Sequence, residues 1–137
     1  MNARFRAFDK KTSKIYGVGL PDYYHDVAWL DDVIEDECVT VATRKLTEIE
    51  LMQSTGLKDD FGKELFVDDV ILWSYWDEFE DSGRAKIIFY EGMFKLVDIR
   101  TGKDVWDNLF NCLENCDVYL QGNIYENPEF WRIANDQ

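Results

Sequence analysis

The chain has 137 residues, of which 46% are apolar and 15% aromatic, enough for the core of one domain or of two very small ones and too apolar for a disordered chain. Its 28 acidic and 15 basic residues give a net charge of −13, so the free surface should repel nucleic-acid phosphates and anionic lipid headgroups. This charge suits a basic partner, although the simplest explanation is a solvated acidic surface.

The N-terminal sequence MNARFRAFDKK lacks the apolar segment of a secretory signal. No apolar run approaches the ~20 residues that span a bilayer. We therefore expect a cytoplasmic protein without membrane contacts, whose three cysteines, Cys38, Cys112 and Cys116, are reduced and packed. With His25 as the only histidine and no Cys-x-x-Cys pair, we expect no metal and no cofactor.

The first predicted element is a β-hairpin at residues 3–20, where an alternating segment, a polar turn (DKKTSK) and an apolar return (IYGV) follow one another. Residues 22–37 allow two interpretations. The spacing of their apolar residues favours a helix, whereas seven acids without a Lys or Arg favour a surface loop with a helical turn. The β-branched segment CVTVATRK then predicts a strand.

The segment TEIE has the spacing of a capping box, with Thr47 as N-cap and Glu50 three residues later. It predicts a short helical turn that ends before Gly56. The next segment, LKDDFGKELF, predicts a turn in which Asp59 and Asp60 accept backbone hydrogen bonds. The sequence FVDDVILWSYW that follows predicts a strand.

In the C-terminal part, Glu91–Gly92 separates two apolar segments as a tight hairpin turn does. Helical spacing from Val105 to Cys116 predicts a helix with Asp104 as N-cap. The segment DVYLQG predicts a closing strand, and NPEFWRI predicts a short terminal helix. Short strands with glycine turns from about residue 66 to residue 121 favour a small, bent antiparallel barrel.

Three segments resemble the signatures of the YopX family of phage and prophage proteins: FRAFDKKTSKIY, LMQSTGLKDDFGKELFVDDVI and GNIYENPEF. Their order and spacing also match, so the resemblance covers nearly the whole chain. The sequence departs from the family pattern at Phe8, where Trp is usual, at Asp68, where Gly is usual, and at Gln121, where an apolar residue is usual. An aspartate in place of that glycine must adopt an ordinary φ or accept a left-handed cost of ~1 kcal/mol.

The resemblance implies a mainly β (α+β) fold. A small α+β part would occupy residues 1–55, and an SH3-like β-barrel with a short terminal helix would occupy residues 56–137. The resemblance also implies a mobile-element origin and therefore the cytoplasm of a bacterial host. It implies no catalytic activity, and a function borrowed from other SH3-like folds would rest on analogy alone.

The conspicuous acidic set is Asp59, Asp60, Glu64, Asp68 and Asp69. It could hold a divalent cation or supply an acid–base pair. We favour turn and strand-start chemistry, because neighbouring residues in a strand point to opposite faces and no EF-hand spacing is present. For GNIYENPEF we likewise favour a structural role over ligand binding by Asn123, Tyr125 and Asn127. No catalytic residue is therefore predicted.

The predicted interaction surface consists of Trp73, Tyr75, Trp76 and Tyr125. Aromatic residues can also stack on bases, but the basic residues that such binding needs are scarce, so direct nucleic-acid binding is not expected.

The leading hypothesis is a non-catalytic accessory protein that binds a host or phage protein. One alternative is a mimic of nucleic acid that occupies a host DNA-binding protein. Another is an enzyme or a nucleic-acid binder that uses the barrel as a platform. We also expect self-association, because small barrels leave edge strands and aromatic surface to cover.

Overall fold

The computed structural model describes residues 5–75 and 81–130 and is mainly β, with two antiparallel sheets. Its helical part is small: a 3-10 turn at Leu46–Glu48, α1 at Leu109–Asn115 and a helical turn at 128–130. The chain divides into two compact units, Met1–Ser54 and Thr55–Gln137.

The first unit holds β1 (Phe5–Asp9), β2 (Lys14–Val18), β3 (Val27–Ile34), β4 (Glu37–Lys45) and the beginning of β5 (Ile49–Lys58). The strand order is β4-β3-β2-β1-β5, and the predicted N-terminal hairpin is confirmed as the pair β1–β2. The core of this unit is formed by Ala7, Val18, Ala28, Leu30 and Ile49.

Residues 27–34 form a strand, so neither the helix nor the loop predicted for residues 22–37 is correct. A tight turn joins β3 to β4 through Glu35 and Asp36, which have φ angles of 52° and 66°. Only Ala28 and Leu30 are buried in β3, at the two-residue spacing of a strand. Pairing with β4 satisfies the backbone, and the strand avoids the repulsion between stacked acids that a helix would impose.

The helical turn predicted from TEIE begins two residues earlier than expected, with Lys45 and not Thr47 as its N-cap, and it is shorter. The Lys45 N–H donates to Glu48 Oε1 at 2.8 Å and closes a 3-10 turn. β5 begins directly afterwards and continues through Gly56, whose φ is 75°. Thus Gly56 lies within a strand and does not cap a helix, because pairing of the first half of β5 with β1 outweighs the local capping signal.

β4 is the last strand of its sheet and contains a β-bulge. Leu30 pairs with Ala42 and Asp31 with Thr40, which leaves Val41 as the extra residue. A bulge twists an edge strand and disfavours its pairing with a second chain.

The second unit contains the end of β5, β6 (Glu64–Phe66), β7 (Asp69–Tyr75), β8 (Asp81–Tyr90), β9 (Met93–Asp98), α1 and β10 (Cys116–Asn123). Its four-stranded sheet has the order β10-β7-β8-β9. The core is built from the inward face of this sheet and from α1, and it includes Leu65, Ile71, Ile87, Leu96, Leu109 and Val118.

The sheet of the second unit is open, because no pairing joins β9 to β10 among the described residues. The predicted SH3-like barrel is therefore not confirmed, although the mainly β class is. The hairpin at Glu91–Gly92 is confirmed, with φ angles of 52° and 81° that match a tight two-residue turn. The closing strand is confirmed as β10.

The helix of this unit is shorter than predicted. It begins at Leu109, and Asn108 is its N-cap, with Oδ1 accepting from Asn111 N at 2.7 Å. Asp104, the predicted cap, forms a β-bridge with Val97. Trp106 has a φ of 61°, which ends any helical path between the two positions.

Candidate functional site

The turn that follows β5 binds the outer edge of β10 with two carboxylates. Asp59 Oδ2 accepts from Leu120 N at 2.9 Å, and Asp60 Oδ2 accepts from Val118 N at 2.7 Å. The Asp60 N–H returns a bond to Val118 O at 3.0 Å. These acids satisfy backbone donors that an edge strand would otherwise present to solvent.

The second oxygen of Asp59 holds the turn itself. Its Oδ1 accepts from Phe61 N at 3.0 Å and from Lys63 N at 2.8 Å, and the side chain is only 6% exposed. Gly62 supplies the left-handed residue of the turn, with a φ of 82°. The predicted turn chemistry is confirmed, and Asp59 has no free oxygen directed at a ligand site.

The last two acids of the set, Asp68 and Asp69, lie beside and at the start of β7 and also bind protein groups. Asp69 is fully buried, and its Oδ2 accepts from Phe66 N at 2.8 Å. Asp68 adopts the left-handed conformation, with a φ of 76°, and its Oδ2 accepts from Tyr125 Oη at 2.7 Å. The aspartate thus accepts the conformational cost that a glycine would avoid, and gains a tie to the C-terminal segment.

The segment GNIYENPEF forms the tight turn after β10. Asn123 Oδ1 accepts from the N–H groups of Tyr125 and Glu126 at 3.0 and 2.8 Å, while Asn127 Oδ1 accepts from Asn123 N at 3.2 Å. A Cβ atom on Gly122 would overlap the Asn127 side chain, and the φ of Gly122 is 155°. In the structure, Asn123, Tyr125 and Asn127 therefore hold the fold.

The conspicuous acids do not converge on a common point that could bind a cation. Within residues 5–75 and 81–130, no group of His, Cys, Asp or Glu side chains is arranged to hold a metal ion. Each acid described above has a backbone or hydroxyl donor as its partner. Asp59 and Asp60 supply charge-assisted hydrogen bonds to backbone N–H groups of β10 that have no neighbouring strand to bind.

The four residues of the predicted interaction surface are placed differently from one another. Trp73 is 5% exposed and contacts Trp106 edge to face, with ring centroids 5.6 Å apart, so it is a core residue and cannot offer contact area. Tyr75 is 37% exposed beside the same tryptophan. Tyr125 is tied to Asp68, and Trp76 lies outside the described residues.

An exposed apolar surface lies instead at the turn of the β8–β9 hairpin. We call it the hairpin patch and define it as Phe89, Tyr90, Met93, Phe94 and Phe110. Four of these side chains are 50%, 56%, 43% and 58% exposed (Phe89, Tyr90, Met93 and Phe110). Three members of the patch, Met93, Phe94 and Phe110, line a depression of about 310 Å³ together with Leu57, Gly92 and Asn108. No sequence motif marks it, because its members come from two strands and a helix.

The cysteines differ in exposure. Cys112 and Cys116 are buried as predicted, and burial raises the pKa of both thiols, with the nearby Cys116 adding to the effect at Cys112. Cys38 is exposed on β4, so the prediction that all three are packed is wrong. The β-branched neighbours of Cys38 indicate a strand but not which of its faces is covered.

One ion pair of the first unit is largely buried. Arg44 Nε and Nη2 lie 3.0 and 3.2 Å from the two oxygens of Asp9, which is fully buried. Burial alone would raise the pKa of Asp9. Hydrogen bonds from Arg44, Thr12 and the Lys11 N–H outweigh burial and hold this pKa below its ordinary value of 3.8. The pair therefore links β1 to β4, and its role in stabilising the fold explains its presence.

Comparison with known proteins gives a family and a fold. A model of the YopX protein family matches residues 4–131. The structure is similar to protein EF1440 from Enterococcus faecalis, with 22% identity, a TM-score of 0.65 and coverage of 93% of this chain and 96% of that one. It is also similar to protein yopX from Bacillus subtilis, with 20% identity, a TM-score of 0.58 and coverage of 95% and 98%. The curated proteins contain no match.

Across residues 5–75 and 81–130, every helix is too short or too polar to cross a membrane.

Proposed function

Because this chain belongs to the YopX protein family, we propose that it is a phage- or prophage-derived accessory protein that binds a host or phage protein and catalyses no reaction. The observation that supports binding is the hairpin patch, where four large apolar side chains stay at least 43% exposed. Exposed apolar clusters of this kind mark interaction sites, and aromatic residues and methionine are enriched in protein interfaces.

The charge of the chain favours one kind of partner. A net charge of −13 attracts a basic surface and raises its association rate. The patch itself would supply apolar contact area, and Glu91 in the hairpin turn would face the rim of the interface. We therefore expect a partner with an apolar groove or ridge surrounded by Lys and Arg.

A capture experiment with matched variants tests this proposal. The tagged protein is incubated with bacterial lysate, with and without nuclease, beside the patch variant Tyr90→Ser/Phe110→Ser and the control variant Leu20→Ser/Tyr24→Ser. Both variants remove exposed apolar side chains. We expect one stoichiometric protein that survives nuclease and is lost only from the patch variant. Equal capture by all three proteins would contradict the assignment of the patch.

A second candidate is mimicry of nucleic acid, which one observation favours. The end of the β3–β4 hairpin exposes Asp32, Glu35, Asp36 and Glu37. Asp59 and Asp69 are buried and bound to protein groups, so they do not contribute. A DNA-binding protein captured equally by the patch variant, and released by Asp36→Asn/Glu37→Gln, would favour mimicry over the first candidate.

We propose a relation to SH3-like barrels from the sequence signatures, and the proposed binding does not depend on it. Localisation in the cytoplasm of a bacterial host follows from the proposed phage origin.

Self-association is proposed through the hairpin patch rather than β4, and light scattering that gives a single-chain mass at high concentration would exclude it. Turnover of a substrate by the pure protein would contradict the non-catalytic assignment.

A further inference from the structure

The second unit contains an open cavity of about 460 Å³ between the ends of β7, β8 and β9. Its lining includes two apolar residues, two arginines, a serine and one acid (Leu72, Ile99, Arg84, Arg100, Ser82 and Asp98). None of these residues belongs to the hairpin patch, so the cavity is independent of the proposed protein binding. We propose that it binds the phosphate group of a small phosphate monoester.

The first argument is the state of the two arginines. Within residues 5–75 and 81–130, neither the Arg84 nor the Arg100 guanidinium forms an ion pair or a hydrogen bond. Other cations of the chain do find carboxylates, as Arg44 does with Asp9. In a chain with nearly twice as many acids as bases, two unpaired arginines that line one cavity are suited to an external anion.

The second argument is that the fold positions the side chain of Arg84 and the backbone of Arg100. The Arg84 guanidinium carbon lies 5.6 Å from the centroid of the Phe130 ring, a cation–π contact that restricts its motion. Arg100 follows the end of β9, where its N–H donates to Asp98 Oδ1 at 2.7 Å and Thr101 N donates to the same oxygen at 3.0 Å. A restricted guanidinium, such as that of Arg84, loses less entropy when it binds an oxyanion.

The single acid of the lining does not disqualify the site. Asp98 Oδ1 already accepts two backbone N–H groups, which lowers the repulsion it exerts on an anion. The remaining charge of the lining is positive. A phosphate monoester carries a charge of about −1.5 to −2 at pH 7 and presents three acceptor oxygens, enough for two guanidinium groups and the Ser82 hydroxyl.

The walls of the cavity and the charge of the chain limit the size of the ligand. Leu72 and Ile99 offer apolar surface beside the arginines, which suits a small apolar group attached to the phosphate. A nucleic acid strand would bring many phosphates against a chain with a net charge of −13 and would be repelled outside the cavity.

The test is a titration of the ¹⁵N-labelled full chain, followed by NMR, with phenyl phosphate, inorganic phosphate and a short single-stranded oligonucleotide as separate probes. We expect saturable shifts of the Ser82, Gly83, Arg100 and Thr101 amides with phenyl phosphate. Weaker binding of inorganic phosphate would show that the apolar walls contribute, and equal binding would show that the phosphate alone is recognised. Tighter binding of the oligonucleotide would overturn the proposal in favour of a nucleic-acid site.

Variants separate a built site from general surface charge. Arg84→Gln and Arg100→Gln should each weaken phenyl phosphate binding by about tenfold or more, the usual effect of losing a charge-assisted hydrogen bond. Lys103→Gln removes an exposed charge from the neighbouring loop and should leave affinity unchanged. Arg84→Lys keeps the positive charge but lacks the planar guanidinium with its paired N–H donors. It should weaken binding while preserving the fold. Shifts that do not saturate, or that persist in both glutamine variants, would refute the site.

Discussion

Replacing Asp59 with alanine tests whether the acidic turn stabilises the fold. We call the hydrogen bonds that Asp59 and Asp60 accept from the turn and from β10 the clamp. The carboxylate accepts three backbone hydrogen bonds, from Phe61 N, Lys63 N and Leu120 N, at 2.8 to 3.0 Å. The side chain is 6% exposed, so the carboxylate meets these donors inside the turn and not in solvent. The substitution leaves three donors without an acceptor, two within the turn and one on the edge of β10.

The magnitude follows from the burial of each donor. A hydrogen bond to a charged group contributes roughly 1.5–3 kcal/mol, and a donor near the surface recovers part of this from water. The two turn donors can be hydrated after the substitution, whereas the Leu120 donor stays half-buried. We therefore expect Asp59→Ala to lower the free energy of unfolding by about 3 kcal/mol and Asp59→Asn, which keeps one acceptor oxygen, by about half as much.

Thermal and urea denaturation followed by circular dichroism measure both variants. A loss of about 3 kcal/mol corresponds to a fall in Tm of roughly 10 °C for a chain of this size. Glu114→Gln is the control, because Glu114 is exposed on α1 and its removal should change Tm by less than about 2 °C. A Tm for Asp59→Ala within the range of the control would refute the clamp and reopen a ligand-binding role for the acidic turn.

Three further predictions concern other parts of the fold. Gly122→Ala should destabilise the protein by about 2–3 kcal/mol in urea denaturation, because the added Cβ overlaps the Asn127 side chain at a φ that favours glycine; unchanged stability would contradict the close approach. Asp9 has a folded pKa below 3.8, so the stability it provides with Arg44 is present above that pH and is lost as the pH falls through the folded pKa; stability measured at pH 2–5 should fall less steeply in Asp9→Asn. In the native protein a thiol reagent should label only Cys38 rapidly, since the other two thiols are buried; fast labelling of all three would contradict the packing of α1.

The turns could be predicted from the sequence because their chemistry is local. The sequence KDDFG requires a carboxylate that accepts nearby N–H groups and a residue that tolerates positive φ, and Asp59 and Gly62 meet these needs within four residues. The Glu91–Gly92 hairpin rests on the same kind of short-range requirement. The second half of the clamp could not be predicted, because it joins Asp59 and Asp60 to residues 58 to 61 positions further along the chain.

The strand β3 was not predicted because its apolar residues carry a misleading spacing. Val27, Leu30, Val33 and Ile34 match a helical period, but Val33 and Ile34 are exposed at the end of the β3–β4 hairpin. Their positions are set by pairing with β4 and not by a buried face. When a hairpin extends beyond its sheet, the apolar residues at its end no longer face a core. Their spacing then does not distinguish a strand from a helix.

The site prediction had a similar limit. Strand alternation indicates that Trp73 and Tyr75 share a face of β7, but only the packing of Trp106, more than 30 positions away, determines that Trp73 is buried and Tyr75 is partly exposed. The hairpin patch was missed for the same reason, since Phe110 joins Met93 and Phe94 only through the position of α1 against the sheet.

Photo-crosslinking from the hairpin patch tests the proposed function most directly. A benzophenone amino acid replaces Phe110 in one protein and Tyr24, an exposed aromatic residue of the first unit, in another. Both are expressed in bacterial cells and irradiated, and the adducts are identified by mass spectrometry. We expect one discrete protein adduct from position 110 that is absent from position 24. The same set of adducts from both positions, or none from position 110 at matched expression, would contradict binding through the patch.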